Sequence, residues 1–409
     1  MNAESSHSSR QNDARTIGLL MLAAACIGFA QPAAADADLA HTHDSTARSM
    51  DAMAAAYGAP LDEIRLKKRT FAPVASKAAG ISTYTASEPR HLLLQLEPGQ
   101  ADATVARLKA AGIEVLEWVP ANAVSARIPA GIDPLGIEGV RWAGRLQPPD
   151  KVSPLVSGEP AAREVVVDYF PGQDAAAMAA AVEAVGGKVA VLQKLPPHSL
   201  LVEADEAALG HIAELDGVSY IFPAGKGLGA STHRCPGPLT EAGPMAFYVL
   251  RGEGWDGQGA NPISLTYRFD ASVAGVSGVS QTNQRNAILS GLTTWSNYAA
   301  ITWTSTASTG LSRSLEIYWG AASGFPFDGS SGTLAYCFFP SPPNPEPLAG
   351  NMHFDTAENW TIGNSGIDIY SVALHEAGHG LGLSHSDDPN AVMYPYYQYT
   401  TGLRSDDIA

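Results

Sequence analysis

The sequence predicts an α+β protein built from two copies of one small module, followed by a separate and differently patterned domain. Three observations carry that prediction. A pattern of strand, helix, strand, strand, helix and strand is written twice between His91 and Phe222. A Gly- and Pro-rich stretch closes the second copy. The remainder alternates apolar strands with two helical patterns, the second carrying histidines four residues apart. At 409 residues the chain exceeds one ordinary core, and 45% hydrophobic content is enough to fill several.

Residues 1–38 read as an export signal. Arg10 and Arg15 give a positive start, Ile17 to Ala30 an apolar stretch, and Ala33 to Ala37 a small-residue cleavage zone. The apolar stretch is too short for a stable membrane span. The expected localisation is secreted or extracellular, with the periplasm, or lipid anchoring at the cell surface through Cys26, as alternatives. Residues 39–89 form a leader of mixed polar and Ala-rich sequence with no sustained period, expected to be partly helical and partly disordered.

The first module, 90–152, opens with HLLLQLEPG, and the second, 163–225, with EVVVDYFPG; each is an apolar strand closed by Pro-Gly. ADATVARLKAAG and AAAMAAAVEAVGG then supply Ala-rich helices. IEVLEWV with AVSARI, and KVAVLQKL with SLLVEA, are strand-like pairs. A short helical stretch precedes the closing strands GVRWAG and GVSYIF. A helix after the first strand and another before the last make a split βαβ sandwich of the ferredoxin-like kind.

Residues 226–262, with GKGLGASTHRCPGP and GEGWDGQGANP, form a linker of the exposed, cleavable type. In the domain 263–409, ISLTYRF, ITWTST and SLEIYWG read as strands, and Thr333 to Phe339 as another. Gln281 to Tyr298 has a helical pattern with Ile288, Leu289, Leu292 and Trp295 on one face. Ile369 to Gly380 is the main helix, bounded ahead by Asn364-Ser365-Gly366 and interrupted by glycines at its end. Ser405-Asp406-Asp407 reads as a helix start with only Ile408 and Ala409 after it, so the domain is expected to be truncated at its C-terminus.

The charge balance excludes one class of partner. With 41 acidic against 25 basic residues the net charge is −16, and no basic stripe exists to release counterions from nucleic acid. Without its signal the chain keeps only Cys235 and Cys337, which an oxidising compartment permits to pair.

The chemistry sits in HEAGHGLGLSH, residues 375–385. His375 and His379, one helical turn apart, present two imidazoles on one face. Gly382 offers the permissive backbone for a sharp turn, after which His385 can return as third ligand. Three protein ligands leave the fourth position of a zinc ion open, as a catalytic site requires. Glu376, beside a ligand yet pointing elsewhere, can serve as general base. The spacing is a known zinc-protease signature. Met393, eight residues after His385, fits the methionine turn beneath such ligands.

This stretch resembles the matrixins, the matrix-metalloproteinase family of metzincins. HSDDPNAVMYP, PFDGSSGTLAYCFFP, HFDTAENWT, LTYRF and LRSDDI are similar to matrixin segments and collinear with them over about 264–408. The resemblance implies a twisted mixed sheet with an active-site helix, and endopeptidase activity on protein or peptide substrates, extracellular matrix among them. It implies structural calcium at Asp328, Asp355 and Glu358, and a substrate-pocket wall at Pro395 and Tyr397. The repeat at 90–225 is similar to the inhibitor-type propeptide domains of secreted proteases.

Three departures stand beside the resemblance. The family's second, structural zinc falls on Ala321, Ser323, Tyr336 and His353, where only one imidazole survives, so a single zinc is expected. The family's zinc-blocking cysteine has a partial counterpart in His-Arg-Cys235-Pro-Gly-Pro. A disulfide between Cys235 and Cys337 is the preferred alternative. The third is the early end of the chain. Together these imply a secreted zinc metalloendopeptidase, monomeric, made as a zymogen whose own propeptide inhibits it or helps it fold. The alternatives are a protease that retains the pair as a binding module, and a non-catalytic zinc-bearing adhesion protein.

Overall fold

The computed structural model describes residues 63–74, 87–119, 122–156, 162–190, 198–225, 228, 255, 262–270, 275–330, 332–340 and 344–408. The expected export signal, Cys26 and Cys235 lie outside them. Within the leader, β1 (Ile64–Arg65) and β2 (Thr70–Phe71) form a hairpin. Two-residue strands carry no readable period, and so the sequence does not announce them.

The first module runs β3 (Arg90–Leu96), α1 (Ala101–Ala110), β4 (Glu114–Val119), β5 (Ala123–Ile128) and β6 (Val140–Gly144). The second runs β7 (Arg163–Tyr169), α2 (Ala175–Ala184), β8 (Lys188–Val189), β9 (Ser199–Ala204), α3 (Glu206–Glu214) and β10 (Val218–Pro223). Their sheets have the same order, β4-β5-β3-β6 and β8-β9-β7-β10, with every pairing antiparallel. Where the second module has α3, the first makes only a 3₁₀ turn at Pro134–Gly136, capped by Asp133, whose carboxylate accepts from Leu135 N.

Both faces of each sheet are buried, and this is why the opening strands read as continuous apolar runs instead of alternating. In the first module Leu92, Leu94 and Leu96 face α1 through Leu108, while Leu93 faces Ile64 and Leu66 of the hairpin. Arg69 pins that hairpin by donating from two nitrogens to both oxygens of Asp150, at 2.7 Å each. In the second module Val165 and Val167 face α2 and α3. Val166, Leu201, Tyr220 and Phe222 on the reverse face pack against Leu228, Tyr394 and Tyr396.

The C-terminal domain holds β11 (Ile263–Phe269), α4 (Gln281–Trp295), β12 (Ile301–Ser305), β13 (Ser314–Trp319), β14 (Ala335–Cys337), β15 (Met352–Phe354), β16 (Trp360–Thr361), β17 (Ile367–Asp368), α5 (Ile369–Leu381) and α6 (Ser405–Ile408). Its five-stranded sheet is ordered β12-β11-β13-β15-β14, parallel except for the antiparallel edge β14. The face of α4 that is buried is Gln284, Ile288, Gly291, Leu292 and Trp295. Leu289, expected on that face, is only half-buried at its edge. The shift has a cause: Gly291 lies so close to α5 that a Cβ there would sit 2.8 Å from Leu374 N.

Two other expectations about α5 are corrected. Its cap is Asp368, whose carboxylate accepts from Ser371 N at 2.9 Å, and not the Asn364–Gly366 stretch. Gly378 and Gly380 do not interrupt it. They admit close neighbours instead, a Cβ at Gly378 meeting Met393 Sδ at 2.3 Å and one at Gly380 meeting Cys337 Sγ at 3.0 Å.

Asp168 is buried in the second module and accepts from Ser199 Oγ at 2.6 Å. Burial pushes its carboxyl up to about 7. The folded chain therefore holds a proton that the unfolded chain releases near the ordinary carboxylate range. Stability from this group falls as pH rises from about 4 to about 7. Asp168→Asn is expected to raise the melting temperature at pH 8 by more than about 2 °C and to flatten that slope. Thermal melts across the window check this, and an unaltered slope contradicts it.

Candidate metal centre

The site is assembled from the end of α5 and the chain that follows. His375 and His379 lie one turn apart on the helix, which stops at Gly382, in the left-handed region with φ 105°. Gly382 N donates to His379 O and Leu383 N to Gly378 O, both at 2.9 Å, and the reversal brings His385 back. His375 and His379 place their Nε2 atoms 3.0 Å apart, and His379 and His385 place theirs 3.2 Å apart.

With the rings neutral, as metal ligands must be, these contacts are not hydrogen bonds. His375 Nδ1 donates to Val392 O at 2.6 Å and His379 Nδ1 to Leu383 O at 2.7 Å, which leaves Nε2 as the lone-pair nitrogen of each ring. Burial first, and then the charges of His375 and His385, hold His379 well below the usual imidazole range, so it is neutral. Lone pairs directed at one another this closely call for a cation between them. A tetrahedral ion bound at about 2.0–2.1 Å sets its ligand atoms about 3.4 Å apart, close to what the rings provide. Among the described residues these three form the only group of three or more such side chains with ligand atoms all within 4.8 Å of one another.

Glu376 follows the first ligand and is fully buried. Its charge helps to raise the Cys337 thiol, after burial as the larger cause, which places it near β14. Met393 lies buried beneath the histidines against Gly378 and Trp295. Its turn is closed by Ser386 N donating to Met393 O at 2.9 Å. The turn is also held from the C-terminus, where Asp407 accepts from Val392 N at 3.0 Å and Met393 N at 3.1 Å. Sequence reasoning placed Asp407 in a matching segment without assigning this role, which no spacing rule could reveal.

Beside His375 a cavity of about 30 Å³ is lined by Val372, Val392, Tyr394, Tyr397 and Arg404 among others. Tyr397 accepts from Asp368 N at 2.9 Å and donates to Gly366 O at 3.2 Å, tying this wall to the start of α5. Pro395 is buried but does not line the cavity.

The remaining candidates fall elsewhere. Asp328, Asp355 and Glu358 border one loop, accepting from Thr333 N at 2.9 Å, Ala357 N at 2.8 Å and Gly332 N at 3.2 Å. They do not converge as closely as the histidines. His353 is stacked between Tyr318 and Tyr336, with ring centroids 4.7 and 5.1 Å away, and its Nδ1 donates to Gly320 O at 2.8 Å. Tyr336 OH accepts from Ala322 N at 2.6 Å and donates to Phe325 O at 2.9 Å. The loop that a second metal would tether is thus held by a ring stack and a hydroxyl. Cys337 is a free and fully buried thiol that donates to Gly350 O at 3.3 Å, and Cys235, its expected partner, lies outside the described residues.

Residues 255–409 match the matrixin family, and residues 65–147 match a domain of unknown function. Karilysin of Tannerella forsythia is 39% identical over 172 residues, covering 41% of this chain and 34% of that protein. Human matrix metalloproteinase-16 is 36% identical over 184 residues, covering 41% and 28% respectively. Human matrix metalloproteinase-20 is 55% identical over 75 residues, covering 18% and 15%. The aligned stretches span about a third or less of the relatives' own length.

The match begins at Trp255, whose indole N–H donates to Gly380 O of α5 at 2.8 Å. Because α5 is positioned by its contact with α4, Gly291→Ala is expected to destabilise the chain by about 1–3 kcal/mol. It does so despite the better helix propensity of alanine. It is also expected to weaken zinc binding. Urea melts with and without zinc, together with a zinc titration, read both effects, and unchanged affinity contradicts the positional claim.

Proposed function

We propose that this chain, whose residues 255–409 match the matrixin family, is a secreted zinc-dependent endopeptidase carrying its own propeptide. The observation that carries the reading is the convergence of three imidazole Nε2 atoms at 3.0 and 3.2 Å. His375, His379 and His385 would hold the ion, and Val392 O and Leu383 O fix the tautomers of the first two.

When bound, zinc supplies a polarised scissile carbonyl and lowers the pKa of water to about 7. Glu376 accepts the proton of the attacking water and delivers it to the leaving amine, so that no covalent intermediate forms. Its burial keeps that proton from bulk solvent. Met393 and Asp407 support the ligands from below. Tyr397 walls a pocket for the side chain after the cleaved bond, with Pro395 shaping the same segment, and an apolar side chain suits it.

The strand order and antiparallel pairing in both N-terminal sheets support reading 90–152 and 163–225 as ferredoxin-like propeptide modules. The 226–262 segment is then the activation site. Asp328, Asp355 and Glu358 are proposed as calcium ligands, since hard carboxylate oxygens around one loop suit that ion. One zinc per chain is proposed, as His353 is engaged in its aromatic stack.

Hydrolysis of casein or a quenched peptide by the activated, zinc-loaded chain tests the reading. A chelator is expected to abolish activity and added zinc to restore it. Glu376→Gln is expected to lower kcat by about 10²- to 10⁴-fold while metal analysis still finds one zinc. Full activity in that variant, or two zincs per chain, contradicts the proposal.

A further inference from the structure

One loop of the C-terminal domain, from Ser386 to Thr400, is held on its back by three separate N-terminal segments. Asp387 is their meeting point. Lys67 Nζ, from the hairpin, lies 3.0 Å from Oδ1. Ser153 Oγ, from the chain between the modules, and Tyr220 OH, on β10, donate to Oδ2 at 2.5 and 2.8 Å. All four side chains are largely removed from water, so each contact replaces hydration that the carboxylate has given up.

A second set of contacts lies farther along the same loop. Tyr394 OH donates to Pro223 O and accepts from Gly225 N, both at 2.8 Å. Tyr394 and Tyr396 close the reverse face of the second module, and the rings of Phe222 and Tyr394 meet edge-on at 6.2 Å. The front of this loop lines the cavity beside His375. That cavity is narrow, about 30 Å³. The loop is gripped behind and walls a narrow cavity in front.

We propose that the N-terminal modules are a detachable clamp, latched at Asp387, that holds the specificity loop closed and stays bound after the linker is cut. The proposal rests on the endopeptidase reading and deepens it. It gives inhibition a route that needs no ligand on the metal, because a closed pocket refuses substrate by itself. Cutting 226–262 then releases only the covalent tether. Activity awaits dissociation of the modules.

The test uses the zinc-loaded full chain with a site for a specific protease placed in the 226–262 segment. Binding is read by gel filtration of the cleaved chain in a Glu376→Gln background, where self-digestion is absent. Peptide hydrolysis is read with Glu376 intact. The variants are Lys67→Met, Ser153→Ala and Tyr220→Phe, all on the module side, so the catalytic domain is unaltered.

The wild-type fragments are expected to co-elute and to hydrolyse poorly. Each variant is expected to dissociate about 10- to 100-fold more readily, the usual effect of losing a hydrogen bond to a charged group. The gain in kcat/KM is expected to be larger for peptides with a bulky apolar side chain after the scissile bond than for those with glycine there. Wild-type fragments that part at once, variants that hold as tightly as wild type, or full hydrolysis by a still-associated complex would each overturn the clamp. An isolated zinc-loaded catalytic fragment that hydrolyses nothing would instead sink the endopeptidase reading.

Discussion

Two backbone carbonyls decide the chemistry of this chain. Val392 O and Leu383 O take the Nδ1 protons of His375 and His379, and so turn both Nε2 lone pairs toward one point. Without those bonds the buried imidazoles would be free to choose either tautomer. With them, the nitrogens are aimed at one point before any ion arrives. Leu383 follows the helix cap and Val392 precedes the methionine turn, so the loop after α5 must close on itself for the site to exist.

Everything beneath the site serves that closure. Gly291 lets the backbones of α4 and α5 come close, and Trp295 Nε1 donates to Leu374 O at 2.9 Å across the contact. Gly378 admits the Met393 sulfur and Gly380 admits the Cys337 thiol. The loop is then fastened at its far end by Asp407, within a four-residue helical turn, to the amides of Val392 and Met393. Glycines inside α5 lower its intrinsic propensity, and close packing on both sides offsets that cost.

The N-terminal half contributes through surfaces with no independent purpose in a solitary module. A four-stranded sheet with helices on one side leaves its other side apolar. In the first module the leader hairpin covers that side, and in the second the tyrosines of the loop after the methionine turn do so. The same loop that walls the pocket beside His375 is therefore part of a module core. That shared use couples the fold of one half to the accessibility of the other.

The sequence by itself pointed to the three histidines that converge, the glutamate beside the first of them, the glycine that turns the chain, and the order of strands in both modules. Each of these is a local signal, a spacing of a few residues or a period of two or 3.6, and local signals survive without knowledge of the fold. Tertiary structure alone decided which face of α4 is buried, since Gly291 and not Leu289 meets α5. It decided that Cys337 is a packed thiol under Gly380, where the sequence favoured a disulfide. It also decided that His353 is clasped by two tyrosines, that Asp407 holds the methionine turn, and that Asp387 gathers Lys67, Ser153 and Tyr220. Those partners lie up to 320 positions away along the chain, 387 less 67, and no period or spacing encodes a contact made only when separate chain segments pack together.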